Sequence, residues 1–234
     1  MTKMPGGELA TRPLHFIWIC DCSGSMSGEK IQQLNTAIKE TLPAMRKVAD
    51  ENPNATVLVR AIQFSSGAKW VNITPTNIED FKWFDLEAHG ITDMGKALSL
   101  LSDELKIPPM TDRALPPVLV LISDGQPTDD FDGGLRKLMD QAWGKKAVRI
   151  AIAIGGEADM EILQKFIGNS EIKPLVAKNA ETLVKQIKWV STDVLQSASS
   201  PASQSKESQT PGANVPIPVV PADINNPSGA GDVW

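Results

Sequence analysis

Asp21, Ser23 and Ser25 stand at alternate positions directly after the apolar run Phe16-Ile17-Trp18-Ile19-Cys20. One carboxylate and two hydroxyls at that spacing, on a loop past a buried strand, form a cluster of hard oxygen atoms. Such a cluster suits Mg²⁺, Mn²⁺ or Ca²⁺ better than zinc. A second apolar run, Val118-Leu119-Val120-Leu121-Ile122-Ser123, delivers Asp124 to its carboxyl end in the same way. The segment Gly90-Ile91-Thr92-Asp93 supplies a third hydroxyl at the start of a helical stretch. Two carboxylates and three hydroxyls make a partial shell for an octahedral divalent ion. Asp-x-Ser-Gly-Ser by itself also fits a strand-to-helix turn with an N-cap. Convergence with Thr92 and Asp124 is what separates the two readings.

Convergence depends on the elements that carry these residues. Leu14 to Cys20 reads as a buried strand. Ile31, Leu34, Ile38, Leu42 and Met45 recur at helical spacing, predicting a helix from about Gly28 to Asp50 that Pro43 ends or kinks. Thr56 to Phe64 is a second strand, and Lys69 to Ile73 a short third one after the turn Ser65-Ser66-Gly67. Helices are expected over Met94 to Leu105, Leu135 to Gly144, Met160 to Ile167 and Ala180 to Leu195. Pro117 to Ile122, Val148 to Ile154 and Pro174 to Val176 complete the strands, the first so continuously apolar that both its faces must be covered. Strands alternating with helices imply an α/β fold, a doubly wound, mostly parallel sheet with helices on both faces. Ligands of such sheets bind beyond the carboxyl ends of the strands, where strand order reverses.

The bulk properties narrow the functional classes. The chain has 234 residues, 41% of them hydrophobic, which is enough for one substantial core. A net charge of −5 argues against general nucleic-acid binding, which needs clustered Lys and Arg. No apolar stretch is long enough for a membrane span, and Met1 to Pro13 reads as an N-terminal extension without a signal-peptide core. Cys20 and Cys22 are too close in sequence for an unstrained disulfide, so a reducing, cytoplasmic setting is expected. Composition shifts near Gln196. Residues 197–234 are rich in Ser and Pro and poor in charge, and read as a flexible tail. Within it, Val215-Pro216-Ile217-Pro218-Val219-Val220-Pro221 and the terminal Trp234 fit either a partner-binding segment or an inert linker.

At Asp21, Ser23, Ser25, Thr92 and Asp124 the chain resembles the von Willebrand factor A (VWA) domain with its metal-ion-dependent adhesion site (MIDAS), over roughly residues 14–196. The resemblance implies a Rossmann-like six-stranded sheet in the order 3-2-1-4-5-6 with strand 3 antiparallel. It implies that these five residues surround Mg²⁺, with Mn²⁺ or Ca²⁺ as substitutes. The ion would keep an open position for an Asp or Glu of a partner protein, with Gly24, Met26, Asp93 and Gly125 as partner-facing residues; Trp234, beyond the resemblance, is expected as a partner-binding anchor of the tail. The segments Asp21-Cys22-Ser23-Gly24-Ser25-Met26 and Ile122-Ser123-Asp124-Gly125-Gln126-Pro127-Thr128-Asp129 look like the bacterial tellurite-resistance-associated TerY-like or YegL-like branch. That likeness implies a Ser/Thr kinase and a PP2C-type phosphatase as partners in a stress-response or phospho-signalling system.

Other features have plainer readings. Asp129, Asp130 and Asp132 fit a solvated loop with a helix cap better than a second cation site. Cys22 reads as a small buried side chain rather than a redox switch. His89 reads as a loop residue without a role. Trp18, Trp70, Trp83 and Phe84 are expected in the core. The alternative function is a metal-dependent phosphotransferase or phosphatase of α/β fold. A haloacid-dehalogenase-type enzyme needs Asp-x-Asp, and Ser23 stands where the second Asp must act as acid and base. No Gly-x-Ser-x-Gly and no phosphate-binding Gly-rich loop occurs. The expectation is a non-enzymatic binding module, monomeric on its own.

Overall fold

The computed structural model describes residues 11–200 and 217–225. Its sheet contains β1 (Arg12–Asp21), β2 (Ala55–Ser65), β3 (Gly67–Trp70), β4 (Thr76–Asn77), β5 (Val118–Ser123), β6 (Val148–Ile154) and β7 (Leu175–Ala177). The order is β3-β2-β1-β5-β6-β7, with β4 paired to β2. All pairings are parallel except those of β3 and β4 with β2. The six expected strands and the antiparallel edge are therefore present. The two-residue β4 carries no periodicity to read, and it exists because Leu58↔Asn77 and Val59↔Thr76 pair after the chain folds back.

The central strands are buried on both faces, and their alternation sorts side chains into two cores. Phe16, Trp18 and Cys20 of β1 pack with Val118, Val120 and Ile122 of β5 on one side. Ile17 and Ile19 pack with Leu119 and Leu121 on the other. The first face is covered by α1 (Glu29–Asp50) through Leu34, Ile38 and Met45, and by α6 (Ala180–Trp189) through Leu183 and Ile187. The second face is covered by α2 (Met94–Glu104), α3 (Phe131–Asp140), α4 (Ala142–Lys146) and α5 (Met160–Ile167) through Leu98, Leu101, Leu138, Trp143 and Phe166. β1 and β5 are neighbours, yet the chain leaves β1 for β2 on one side and β5 for β6 on the other. The reversal point of the sheet therefore lies between Asp21 and Asp124.

Several boundaries differ from the sequence expectation. Pro43 neither ends nor breaks α1; it lies on the exposed face, where water can hydrate the carbonyl it leaves unpaired. The helix expected over Leu135 to Gly144 starts earlier, at Phe131, because the Asp130 carboxylate caps it by accepting from Gly133 N at 2.8 Å. It ends at Asp140, and the chain restarts as α4 after an extended Gln141. The last helix continues through a π-helical turn at Val190–Val194 into α7 (Leu195–Ser199). Trp83 is buried as expected, whereas Phe84 is exposed. Residues 197–234 do not behave throughout as the expected loose tail. Ile217 and Ile224 are 8% and 7% exposed and join the core beneath α6, where a short helix, α8 (Ala222–Asn225), contacts α6 and β7. The two buried isoleucines anchor that segment to the core. Among the described residues no helix is long and apolar enough to cross a membrane.

Candidate metal centre

Asp21 ends β1, and its Oδ1 accepts from the Ser23 backbone N–H at 2.8 Å. This Asx-type turn bends the chain and fixes the following hydroxyls beside the carboxylate. Asp21 Oδ2 accepts from Ser123 Oγ at 2.5 Å, so the last residue of β5 clamps the last residue of β1. Gly24–Met26 forms one 3-10 turn that presents Ser23 Oγ and Ser25 Oγ 3.0 Å apart. Ser25 Oγ donates to Asp124 Oδ1 at 2.7 Å. The oxygens of Ser23, Ser25 and Asp124 thus share one hydrogen-bonded chain at the reversal point of the sheet.

Thr92 reaches this cluster from a loop locked to its neighbours. Its N–H donates to Thr128 Oγ1 at 3.1 Å, and Thr128 N–H donates to Thr92 O at 2.9 Å. Gly24 N–H donates to Gly90 O, and Asp93 N–H to Ser65 O. Gly90 has φ +75°, and a Cβ there would stand 2.4 Å from Ser66 Oγ. A side chain at that position would push the loop away from the site. At Gly125 a Cβ would lie 3.6 Å from Ser25 Oγ and 3.8 Å from Thr92 Oγ1. Gly125 therefore lies within contact distance of both hydroxyls, which brings Thr92 and Ser25 to the same place.

The five residues expected to bind an ion are brought together. Ser25 is exposed, while Asp21, Ser23, Thr92 and Asp124 are at most 7% exposed. Burial pushes the Asp21 carboxyl above its usual range, against the hydrogen bonds from Ser123 and Ser23, and the Asp124 charge adds to the rise. Without an ion, ionised Asp21 is thus held in an unfavourable place, and a divalent cation relieves the cost. Among the described residues no group of three His, Cys, Asp or Glu is placed to hold a metal, so any ion here must use the hydroxyls. Two carboxylates and three hydroxyls gathered at these strand ends fit Mg²⁺ or Mn²⁺ by donor type.

The expected partner-facing residues divide. Gly24 is exposed and Gly125 half-buried at the rim. Met26 is corrected: it is fully buried in the core against the first sheet face. Asp93 is corrected as well. It is 3% exposed, and its Oδ2 accepts from Gly67 N–H at 2.7 Å and from Lys96 Nζ at 2.6 Å, pinning the β2–β3 turn to α2. Those contacts hold its carboxyl below the usual range. Trp234 lies outside the described residues. The acidic loop does structural work. Asp129 accepts from Gly95 N–H and Lys96 N–H, both at 2.8 Å, and so caps α2, while Asp130 caps α3. His89 is exposed, and Cys20 and Cys22 are buried free thiols.

Two contacts escape a reading of the sequence. Ser123 looks like one more strand residue, and only the parallel register that sets Cys20 beside Ile122 places it against Asp21. Lys30 donates from Nζ to Asp124 Oδ2 at 2.5 Å. Its place in the first turn of a helix just past the Asp-x-Ser-x-Ser loop is the available signal, and the helix phase decides where it points.

Comparison with known proteins agrees with this geometry. The family model for the von Willebrand factor type A domain matches residues 17–189. A von Willebrand factor type A structure from Catenulispora acidiphila superposes with a TM-score of 0.57 at 16% identity, over 79% of this chain and 43% of that one. Proximal thread matrix protein 1 of the mussel byssus, with a zinc-occupied MIDAS motif, gives 0.60 at 18% identity, over 81% and 50%. The pilus adhesin SpaC of Lactobacillus rhamnosus GG gives 0.62 at 15% identity, over 81% and 32%. The chain spans half or less of the length of these proteins, and at such identities the likeness concerns the fold.

Proposed function

Because this chain belongs to the von Willebrand factor type A domain family, we propose that it is a metal-dependent protein-interaction module that captures an acidic side chain of a partner. The observation that carries the reading is the convergence of Asp21, Ser23, Ser25, Thr92 and Asp124 at one mouth of the sheet, with Ser25 exposed. Ser23, Ser25 and Thr92 would hold the ion through hydroxyls. Asp21 and Asp124 would hold it directly or through water. Hydroxyl ligands donate little charge, so a bound ion stays electrophilic toward a carboxylate.

Mg²⁺ is the proposed ion on the hardness of the donors. The zinc in the mussel protein's motif makes zinc the competitor to measure. The likeness of the two strand-end segments to the TerY-like or YegL-like branch supports a finer proposal: a scaffold or regulator in a bacterial stress-response system with a Ser/Thr kinase and a PP2C-type phosphatase, tellurite resistance included. The two free buried cysteines fit a reducing, cytoplasmic setting.

The test is affinity capture from native lysate by the full chain in Mg²⁺ or in EDTA, comparing wild type with Asp21→Ala and Ser23→Ala. A partner retained only by wild type in Mg²⁺ supports metal-bridged recognition. A partner retained equally in EDTA and by both variants contradicts it.

A further inference from the structure

The Asp124 carboxylate is fully buried and divides its two oxygens between different partners. Oδ1 accepts from Ser25 Oγ at 2.7 Å, on the side of the hydroxyl cluster. Oδ2 accepts from Lys30 Nζ at 2.5 Å, on the side of α1. An ion reached through Oδ1 therefore does not require Lys30 to leave. Lys30 is 21% exposed in its side chain, so its charge is only partly screened by water. Lys96, at the start of α2, is paired with Asp93.

The charge balance follows. Asp21 and Asp124 with Lys30 carry one net negative charge. A divalent ion turns that into one net positive charge, and a partner carboxylate then brings the site to neutrality. Without Lys30 the loaded site would already be neutral and would hold the ion more tightly, but it would offer an anion much less. We propose that Lys30 sets the charge of this centre, weakening its grip on the divalent ion so that the loaded site favours a carboxylate as its remaining ligand. This rests on the divalent-cation reading given above. A purely structural ion pair would stabilise the fold without altering ion affinity in this direction.

The test uses the full chain as wild type, Lys30→Met, Lys30→Gln and Lys30→Arg. Free Mn²⁺ is read by electron paramagnetic resonance during titration. Both neutral variants are expected to bind Mn²⁺ about tenfold more tightly than wild type, and the arginine variant within about twofold of it, as deletion of a like charge a few ångströms away requires. Mn²⁺-induced broadening of the carboxyl resonance of ¹³C-acetate, measured on the loaded proteins, is expected to fall about threefold in the neutral variants. Glutamine keeps a donor to Asp124, so the comparison survives if the methionine variant folds poorly.

Wild type binding Mn²⁺ with the neutral variants no tighter overturns the charge-setting role and leaves the metal centre standing. Unchanged or greater acetate broadening in the neutral variants overturns the preference for a carboxylate. Mn²⁺ uptake by the neutral variants alone supports the charge-setting role but contradicts the proposed function. No Mn²⁺ binding by any of the four proteins overturns both.

Discussion

At the scale of single residues, the site is organised by which atoms are left without better partners. Asp21 spends its oxygens on Ser23 N–H and Ser123 Oγ and still titrates high, because burial outweighs those two bonds. The sign of the consequence is fixed. A carboxyl whose folded pKa is raised penalises the folded state above that pKa, and the penalty disappears as pH falls below the unfolded value. Asp21→Asn, a neutral isostere, should therefore be at least as stable as wild type at pH 7 in EDTA, and less stable than wild type in excess Mg²⁺. Thermal denaturation in both buffers checks the reversal of order. The neighbouring thiol tells a related story. Burial, followed by the Asp21 charge, pushes Cys22 up to about 12, so it stays protonated at neutral pH. Neither Cys20 nor Cys22 should react with a chromogenic disulfide in the native protein, and both should react after denaturation, which disfavours a redox role. The ligand types and their spacing were legible in the sequence because strand ends and loops announce themselves. Ser123 and Lys30 were not, since their roles depend on register and helix phase.

At the scale of elements, the loop after β5 and the start of α2 act as one clamp on Thr92. Asp129 caps α2 while the backbone and side chain of Thr128 exchange hydrogen bonds with Thr92. Asp129→Ala should cost about 1 kcal/mol of stability, as a lost helix cap does, and should weaken ion binding without removing any ligand. Chemical denaturation and a Mg²⁺ titration read the two effects. The α2–α3 contact is closer still. A Cβ at Gly134 would stand 2.3 Å from the Gly95 carbonyl oxygen, so Gly134→Ala must push the helices apart, costing about 2 kcal/mol by overpacking. The helices themselves were readable from their 3.6-residue periodicity. Their ends were less so, because Asp130 rather than an apolar residue sets the start of α3, and because Pro43 is harmless on an exposed face.

At the scale of the whole molecule, a two-sided sheet places its reversal point between β1 and β5 and gathers the buried strand-end carboxylates Asp21 and Asp124 there. That architecture was legible from continuous apolar runs alternating with amphipathic ones. The return of residues 217–225 to the core was not, because a Pro-rich, weakly charged segment carries no periodic signal and its burial depends on a groove built by β7 and α6. A chain ending at Ser200 loses Ile217 and Ile224 and uncovers the apolar side chains of that groove, so it should be less stable, as thermal denaturation reads. Metal-bridged recognition requires a divalent ion among five oxygen-bearing side chains. The most direct measurement is an anomalous difference map from crystals grown with Mn²⁺. One strong peak is expected about 2.2 Å from Ser23 Oγ and Ser25 Oγ, with Thr92 and Asp124 around it. No peak at that mouth of the sheet, or a peak held by other residues, would contradict metal-bridged recognition.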